Sequence, residues 1–546
     1  MEPDAKPDSQ PKKSPAENAS PSATPASSPR PASLATPASL ARPGWHRALP
    51  LAGILALLCA LLLLPGLDRS AMTRQQELRV ALVARDMAQG GSWLIPKFQR
   101  QVRLKKPPLS YWTAAVSTTL IAPPVAKSQT SEPGPLASEP VPLASPSSLP
   151  SSRASTFAAR LPTACFGFLL ALGIFFMGRM LFPNTLVGFI GALVACTTLC
   201  FIRHARLAET DIPMSAFIVL SLIFSYRLCQ RRMLRDGLLA GLFAGLGFMT
   251  KGLAALAIPL AVPLLFAAWK NLPLNGGKKE APATQWQNPG TRLRGLFSSM
   301  LGVLVFVLVA APWYLYIMQV QAGSEAVSSE LNAALGQTKH PGNPAYYVYT
   351  LLVQLLPWGL LLPVAIWRLK RLAPSAGKRF LILWAVFAFG LLSAIPSKQS
   401  HYTVLLIAPF SLILGTWLAA WWADRKRSHS LIRLIAVPAV IAIGCGLWMG
   451  FGQPRFGERE RIPPFLNPND PAFVTAPRIH AVGMNSAIFE FYLQRVVDNV
   501  DDLNIAWQRA AAGDAVVYIG KDLLEDPGPV TRGFDGMKYH GRLYRK

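Results

Sequence analysis

Residues 161–178 read LPTACFGFLLALGIFFMG, a stretch without one charged side chain. A helix needs about 20 mainly apolar residues to cross about 30 Å of hydrocarbon. Because lipid offers backbone amides no partner outside their own helix, such a run is predicted to be a membrane-spanning helix. Comparable runs lie at about residues 49–67, 180–202, 212–226, 237–250, 252–269, 295–318, 347–367, 380–396, 402–422 and 434–452. The predicted fold class is therefore an all-α polytopic membrane protein with about eleven transmembrane helices.

The formal net charge of +26 does not indicate a nucleic-acid partner. The Lys and Arg residues form short clusters between apolar runs, within residues 227–235, 270–294, 368–379 and 425–433. Positive loops of this kind stay in the cytoplasm, so they indicate how the protein is oriented in the membrane. With a cytoplasmic N-terminus and an odd number of helices, the segment after residue 452 is predicted to be external, as expected for a multi-pass protein of the inner membrane.

Three segments lie outside the apolar runs. Residues 1–47 are rich in Pro, Ser and Ala and are predicted to be a disordered cytoplasmic tail ahead of a transmembrane domain at 48–452. Residues 68–160 are predicted to be an external loop with amphipathic helices and a Pro/Ser-rich insert at 121–155. Residues 453–546 are predicted to be a small external α/β domain, with strands at 479–483 and 515–519 and a helix at 486–495.

The polar residues between the runs resemble an ordered set of motifs. The chain shows Glu77-Leu-Arg79, Trp93 to Pro96 and Lys106-Pro-Pro, then Arg206-Leu-Ala-Glu-Thr-Asp211-Ile-Pro, Thr250-Lys251-Gly and Ser397-Lys398-Gln-Ser-His401-Tyr402. This order is similar to that of the bacterial lipid A aminoarabinose transferases and the related protein O-mannosyltransferases. The resemblance implies a C-type glycosyltransferase fold and a sugar donor carried on a polyprenyl phosphate such as undecaprenyl phosphate.

Two positions depart from the family pattern. The first acid of an acidic pair is Gln76 in this chain, and the Glu that precedes the Lys-Pro step is Lys105. If the family's base is the first acid, the role shifts to Glu77 or the acceptor differs. A catalytically impaired family member is the other interpretation of the two substitutions.

Two carboxylates are candidates for catalysis. Transfer of a sugar from a phosphate needs a carboxylate to take a proton from the acceptor and cations to hold the leaving phosphate. Glu77 is the candidate base; the alternative is an ion pair with Arg79 or Arg74 in a solvated loop. Asp211 is the second candidate, either as a ligand of a divalent cation or an orienting group for the acceptor, or only as the N-cap of the following helix.

The candidate ligands of the donor phosphate are cations and aromatic or imidazole groups at the same predicted membrane edge. Each has a structural alternative as a solvated loop cation, a snorkelling lysine or part of an interfacial aromatic belt. A possible divalent cation would be bound by Asp211 and His340. The donor-binding candidates are Arg79, Lys106, Lys251, His340, Lys398, His401 and Tyr402.

The function predicted from these residues is inverting transfer of a sugar from a polyprenyl-phosphate carrier to a lipid, protein or glycan acceptor at the external membrane face. The alternative is a transporter or flippase of lipid-linked sugars. Transporters usually show internal repeats or polar residues in mid-helix. In this chain the polar candidates cluster at one membrane surface, which favours catalysis there.

Overall fold

The protein is a mainly helical bundle with a small mixed sheet. Its computed structural model describes residues 45–123, 152–271, 289–320, 342–343, 345–423, 470–482, 486–500, 502–520, 530–535 and 540–544, with a few isolated helical residues between 436 and 448. Residues 1–44 of the predicted cytoplasmic tail and most of the predicted Pro/Ser-rich insert lie outside these residues, while residues 45–47 begin the first helix.

The helices carry the apolar runs. In chain order they are α1 (Trp45–Leu63), α2 (Gln75–Ala88), α3 (Leu109–Ile121), α4 (Ser152–Leu181), α5 (Thr185–Cys196), α6 (Leu199–Ala205), α7 (Asp211–Arg231), α8 (Leu234–Lys251), α9 (Leu253–Asn271), α10 (Pro289–Met318), α11 (Tyr346–Gln354), α12 (Leu362–Arg371), α13 (Ala376–Ala394) and α14 (Val404–Ala423). Short 3-10 helices at Trp358–Leu361 and Ser400–Thr403 precede α12 and α14.

Among the described residues, five helices are long and apolar enough to cross a membrane, or seven if each of two bent pairs is one span. Two further apolar stretches, Ala48–Leu63 and Leu253–Trp269, are shorter. The chain is therefore a multi-pass membrane protein, but the count of eleven spans is not confirmed. The predicted run at 434–452 falls mostly outside the described residues.

Two of the predicted spans are broken, because each contains a polar or proline-containing interruption. The α5–α6 pair bends by 66° and the pair formed by α11 and Trp358–Arg371 bends by 119°. The two breaks bind each other: Leu199 N donates to Leu356 O at 2.9 Å, and Trp358 Nε1 donates to Thr197 Oγ1 at 2.8 Å. Backbone groups freed by the breaks thus find partners inside protein, as a membrane environment requires.

The polar stretch after α1 forms two helices and a hairpin. Helix α2 buries Leu78, Val83 and Met87, which lie on different sides of the helix, so it is enclosed by protein on more than one face. Strands β1 (Lys97–Phe98) and β2 (Gln101–Val102) pair antiparallel between α2 and α3. Helix α2, the hairpin and α3 follow one another along the chain, ahead of the long helix α4.

The C-terminal part of the chain forms a five-stranded sheet. Its elements are α15 (Pro471–Val474), β3 (Ile479–Val482), α16 (Ala487–Leu493), β4 (Asp498–Asn499), α17 (Leu503–Ala511), β5 (Ala515–Gly520), β6 (Val530–Asp535) and β7 (His540–Tyr544), in the strand order β4-β3-β5-β7-β6. Strands β3, β4 and β5 are parallel, and β7 is antiparallel to β5 and β6. The strands and the helix predicted from the sequence lie where the pattern placed them.

This sheet packs against α2 through a continuous apolar cluster. Phe473, Phe489 and Leu493 share the cluster with Leu78 and Val83. Hydrogen bonds reinforce the contact, since Met72 N donates to Tyr492 Oη at 2.8 Å. The C-terminal sheet is therefore fixed to the same helix that carries Glu77.

Helices α8 and α10 approach closely because small residues face each other. A Cβ atom added to Gly237 would overlap the carbonyl of Ser298, and one added to Gly241 would overlap the carbonyl of Gly302. Close approach through small residues is the usual way for membrane helices to gain packing energy, since lipid removes the hydrophobic drive between them.

Replacement of Gly241 tests this contact. We expect Gly241→Val to lower the stability of the protein in detergent by about 1–3 kcal/mol, because the new side chain forces the helices apart. The midpoint of thermal unfolding measures the loss. Gly390→Val is the matched control, because Gly390 lies on α13 with open space around its Cβ position. Equal midpoints for the two variants would contradict the close contact.

Candidate active site

The segment between α6 and α7 is fixed at the end of α1. Arg206 donates from Nη1 to the carbonyls of Leu62 and Leu63 at 3.0 Å each, and from Nη2 to Pro65 O at 2.7 Å. Carbonyls at a helix C-terminus have no partner in their own helix, so an arginine there satisfies several at once. The following residues, Glu209 to Asp211, are thereby held at the edge of the bundle.

Glu77 lies in a buried ion pair with Arg160, both side chains being 1% exposed. Arg160 Nε donates to Oε1 at 2.8 Å and Nη2 donates to Oε2 at 3.2 Å. Ala208 N also donates to Oε1, at 3.0 Å. The sequence alternative of a solvated pair with Arg79 or Arg74 is wrong, because Glu77 is buried and its partner lies 83 residues away on α4.

Both carboxylate oxygens of Glu77 are therefore engaged, which matters for its proposed role. A general base must have a lone pair available to the proton that it removes. The contacts favour a positioning role for Glu77, in which it holds α2, α4 and the Ala208 segment together. Its role as the base stays a prediction.

Asp211 is the first residue of α7 and pairs with the last residue of α8. Lys251 Nζ donates to Asp211 Oδ1 at 2.5 Å, with the aspartate side chain 1% exposed. The other oxygen, Oδ2, is buried and has no hydrogen-bond partner among the described residues. Buried polar atoms are rarely left unpaired, so Oδ2 is an open acceptor at this edge.

Lys106 joins this pair from the loop before α3. Its Nζ donates to Thr210 Oγ1 at 3.4 Å. Burial, with the charges of Lys251 and Arg103, lowers the pKa of Lys106 to about 8, against the opposing charges of Asp211 and Glu209. A partly buried ammonium beside other cations is a group that gains from an incoming anion.

A cavity of about 70 Å3 opens beside Lys106. This space is large enough for a few water molecules or a small anionic group. The cavity contains three cations and one carboxylate, so an anion is the complementary ligand. Its lining residues are Gln76, Arg79, Val80, Arg103, Lys106, Tyr111, Glu209 and Thr210.

The two arginines of the cavity are incompletely bonded. Among the described residues, Nε of Arg79 and Nε of Arg103 are buried without hydrogen-bond partners. Burial lowers the pKa of Arg79, and the nearby charge of Arg103 lowers it further. Guanidinium groups bind phosphate oxygens strongly, so these donors fit a phosphate in the cavity.

Glu209 is the carboxylate of the cavity. Its Oε2 lies 2.7 Å from His204 Nδ1 and its Oε1 accepts from Arg74 Nη1 at 3.3 Å. Burial alone would raise the pKa of Glu209, but the hydrogen bond and charge of His204 outweigh it and the pKa is lowered. The carboxylate is therefore held ionised and balances part of the positive charge.

The segment before α14 completes the cluster around Lys251. Lys251 Nζ lies 4.9 Å from the centroid of the Tyr402 ring, a cation–π contact. His401 lies beside Tyr402, with ring centroids 4.6 Å apart, and 6.5 Å from the ring of His204. The structure thus brings together Asp211, Lys251 and Tyr402.

Lys398 occupies a different environment. Its Nζ donates to the carbonyls of Leu392, Ser393 and Ile395 at 3.1, 2.7 and 2.6 Å. The three ammonium hydrogens thus have partners at the C-terminus of α13, where a cation is favourable. In this arrangement Lys398 supports the segment that leads to His401 and offers no free donor; its role as a phosphate ligand stays a prediction.

A divalent cation does not fit the described side chains. No group of three or more His, Cys, Asp or Glu residues converges in the part of the chain that the structure describes. Lys251 occupies Oδ1 of Asp211 with its own positive charge. His340, the second predicted ligand, lies outside the described residues, so the predicted cation stays a prediction and no step is assigned to it.

Comparison with known proteins finds that the chain is similar to sugar transferases. The family model described as dolichyl-phosphate-mannose-protein mannosyltransferase matches residues 152–275. An undecaprenyl phosphate-α-4-amino-4-deoxy-L-arabinose arabinosyl transferase of Pectobacterium carotovorum is 27% identical over 72% of this chain and 65% of its own length. A second one, from Pectobacterium atrosepticum, is 25% identical over 76% of this chain and 67% of its own length. The chain is a relative of these transferases.

The fold comparison agrees with this relationship. The crystal structure of ArnT from Cupriavidus metallidurans bound to undecaprenyl phosphate has a TM-score of 0.64, at 15% identity, over 92% of this chain and 98% of that one. The apo form of the same protein gives 0.61 over 91% and 98%. The C-type glycosyltransferase fold predicted from the motifs is therefore confirmed.

Several site residues of this transferase relative were not singled out from its sequence. Arg103 and Glu209 line the cavity, Arg160 bonds Glu77, and His204 bonds Glu209 beside His401. Arg160 carried a usable signal, since a charge next to an apolar run requires a partner. The other three gave no signal beyond their nearness in sequence to Lys106 or Asp211.

Removal of one partner of the Glu77–Arg160 pair tests the positioning role. We expect Glu77→Gln to lower the unfolding free energy by about 3–5 kcal/mol, because the Arg160 guanidinium is left buried without its counter-charge. Thermal unfolding in detergent gives the measurement. The double change Glu77→Gln with Arg160→Gln is expected to recover part of the loss.

Arg74→Gln is the control for this experiment. The Arg74 side chain is 37% exposed in its pair with Glu209, so its loss is expected to cost less than about 1 kcal/mol. A Glu77→Gln protein with unchanged stability and no activity would instead assign Glu77 to the chemistry.

Proposed function

We propose that the protein transfers a sugar from a polyprenyl phosphate to an acceptor hydroxyl or amine, with inversion at the anomeric carbon. The observation that supports this most directly is the buried, unpaired Oδ2 of Asp211, the residue that follows Thr210 of the lining of the cationic cavity. The match covers 65% of the length of the Pectobacterium carotovorum relative, and the activity is therefore inferred from the site.

The donor phosphate is assigned to the cavity. Arg79 and Arg103 offer buried donors, and Lys106 brings an ammonium whose pKa is lowered to about 8. Negative charge grows on the phosphate as the bond to the sugar breaks. Fixed cations that meet this charge stabilise the transition state more than the ground state.

The acceptor is assigned to Asp211, the residue that follows Thr210 of the cavity lining. The acceptor oxygen or nitrogen forms a bond to the anomeric carbon while the bond from that carbon to the phosphate oxygen breaks. The acceptor's proton passes to Oδ2 of Asp211, and the polyprenyl phosphate leaves with the bonding electrons. Lys251, bonded to Oδ1, keeps the aspartate in place.

The orientation in the membrane follows from α7. Asp211 is its first residue, and Arg227 and Arg231 lie in its last turns. A helix of this length spans about 30 Å. If the basic end is cytoplasmic, Asp211 opens to the external side of the inner membrane, with the C-terminal sheet on that side.

The proposal also covers the identity of the sugar and the class of the acceptor. The relatives' names specify 4-amino-4-deoxy-L-arabinose on undecaprenyl phosphate, so this donor is tested first, with mannose on the same carrier second. Lipid A, protein hydroxyls and glycans are the acceptor classes. These substrates would give the protein a role in modification of the cell envelope.

Turnover by the purified protein tests the function. We expect a new glycosidic bond with at least one polyprenyl-phosphate sugar, and a loss of about 100-fold or more in Asp211→Asn, since that change removes the proton acceptor. Product is detected by mass spectrometry. Asp68→Asn is the control carboxylate and is expected to keep full activity.

Transport assays separate the rival function. A transporter would move labelled carrier across a vesicle bilayer without a new bond. Transfer retained in a folded Asp211→Asn protein would refute the assignment of Asp211.

The lowered pKa of Lys106 predicts a pH dependence of donor binding. Below about 8 the ammonium is charged and binds the phosphate; as the pH rises through about 8 the charge and its attraction are lost. We expect the affinity for undecaprenyl phosphate to fall about tenfold between pH 7 and pH 9.5, the loss of one charge-assisted hydrogen bond. Titration by microscale thermophoresis gives the profile.

Arginine replacements provide the comparison. Lys106→Arg is expected to flatten the profile, because a guanidinium stays charged in this range. Lys105→Arg, at the exposed neighbouring lysine, is expected to leave the fall intact. A fall that persists unchanged in Lys106→Arg would assign the titration to another group.

A further inference from the structure

The hairpin between α2 and α3 turns through a strained pair of residues. Gln99 and Arg100 connect β1 to β2, and their φ angles are 50° and 66°. A two-residue hairpin loop with positive φ at both positions is the type I′ pattern, which strongly favours Asn-Gly. Long side chains are disfavoured in this left-handed region. The hairpin therefore needs support from outside itself.

The C-terminal sheet supplies contacts to both strained residues. Gln99 Nε2 donates to Ser486 Oγ at 2.5 Å and to Glu490 Oε2 at 3.4 Å. Arg100 Nη2 donates to Asp498 Oδ1 at 2.5 Å. Strained backbone persists where surrounding structure holds it. Here the holding groups come from a part of the chain almost 400 residues away.

The hairpin leads directly into the cationic cavity. Arg103 N donates to Pro96 O at 2.8 Å, which closes the hairpin at the residue after β2. Arg103 and Lys106 then line the cavity, with Leu104 buried between them. A change in the turn therefore shifts the backbone that sets the direction of both cations.

On the other side, tryptophans hold the start of the hairpin. Trp112 Nε1 donates to Trp93 O at 2.7 Å, and Trp313 Nε1 donates to Leu94 O at 2.9 Å. These bonds anchor the incoming strand to α3 and α10. The turn itself projects toward the C-terminal sheet, so that sheet controls the end of the hairpin that the tryptophans do not reach.

We propose that Gln99 and Arg100 are positioning residues, clamped by Ser486 and Asp498 of the C-terminal sheet so that Arg103 and Lys106 face the donor phosphate. This proposal rests on the proposed function for the identity of the ligand. It assigns to the C-terminal sheet a part in donor binding without any contact to the donor. It also explains why residues unfavourable in a type I′ turn occupy this one.

The test combines release of the clamp with a repair of the turn. Ser486→Ala with Asp498→Ala removes the two shorter holding contacts and leaves only the 3.4 Å contact of Gln99 with Glu490. The further change of Gln99→Asn with Arg100→Gly supplies a sequence that adopts the turn unaided. Asp502→Asn is the charge control, because it removes a carboxylate of the same sheet region that caps α17 while asparagine can still cap. All variants are made in the full-length chain.

Two readouts are measured on each variant. Hydrogen–deuterium exchange of the amides at 98–103, followed by mass spectrometry without ligand, reports the hairpin. Titration with undecaprenyl phosphate in detergent reports the cavity. We expect the clamp-release variant to exchange faster and to bind roughly threefold to tenfold more weakly, as fits the loss of exposed polar contacts. The repaired variant is expected to return to within about twofold of the parent in both.

The outcomes are distinguishable. Unchanged exchange in the clamp-release variant, or faster exchange with unchanged binding, overturns the proposal. Failure of the Asn-Gly pair to restore binding also overturns it, because the Arg100 side chain would then act directly. Lys106→Ala is measured alongside: undiminished binding there refutes the phosphate assignment of the proposed function, whatever the exchange of the hairpin shows.

Discussion

The buried pair of Glu77 and Arg160 is the constraint on which the rest of the structure depends. Arg160 uses its remaining donors on the carbonyls of Leu67 and Ser70 at 3.0 and 2.9 Å. An arginine in a membrane helix has to be paired, because its desolvation is otherwise prohibitive. The requirement fixes the end of the α1 segment, the start of α2 and the Ala208 segment around one guanidinium. The approach to α7 follows from that arrangement.

The charge balance of the site follows from this fixed frame. Arg79, Arg103 and Lys106 line one cavity with Glu209, while Lys251 already has Asp211 as its partner. Burial lowers the pKa values of Arg79 and Lys106, and the repulsion between neighbouring cations lowers them further. The repulsion between these cations is greatest when no anion is bound. A phosphorylated lipid would relieve the repulsion, so the affinity for an anion is built into the frame.

Much of the helical architecture could be predicted from the sequence. The apolar runs identified α1 and the helices from α4 to α14, since a hydrocarbon layer sets the length of a spanning run. Helices α2, α3 and α15 to α17 lie outside those runs. The breaks in α5–α6 and after α11 could not be predicted, because they are stabilised by each other through Leu199 and Leu356. Helix count depends on how such breaks are treated, so composition alone did not settle it.

Only the site residues that lie in recognisable sequence motifs could be predicted. The motif order identified Lys106, Asp211 and Lys251, and the fold brings all three together. Lys398 has the same motif support, yet its environment is a helix C-terminus that a sequence does not reveal. Contacts across long separations were also hidden: Arg160 with Glu77, and the C-terminal sheet with the hairpin. Packing decides which residues far apart in the sequence come into contact, and this leaves no periodic pattern in the local sequence.

Glu77 and Asp211 differ in whether a carboxylate oxygen is left without a hydrogen-bond partner. Gln76, which stands where relatives are expected to have an acid, lines the cavity as a neutral amide. The neighbouring Glu77 is turned away into its pair with Arg160, so it does not replace the missing acid without breaking a buried ion pair. Asp211, at the start of α7, pairs with Lys251 through Oδ1 and leaves Oδ2 without a partner among the described residues. In a chain that lacks the first acid, the proposed proton acceptor is therefore Asp211, next to Lys251.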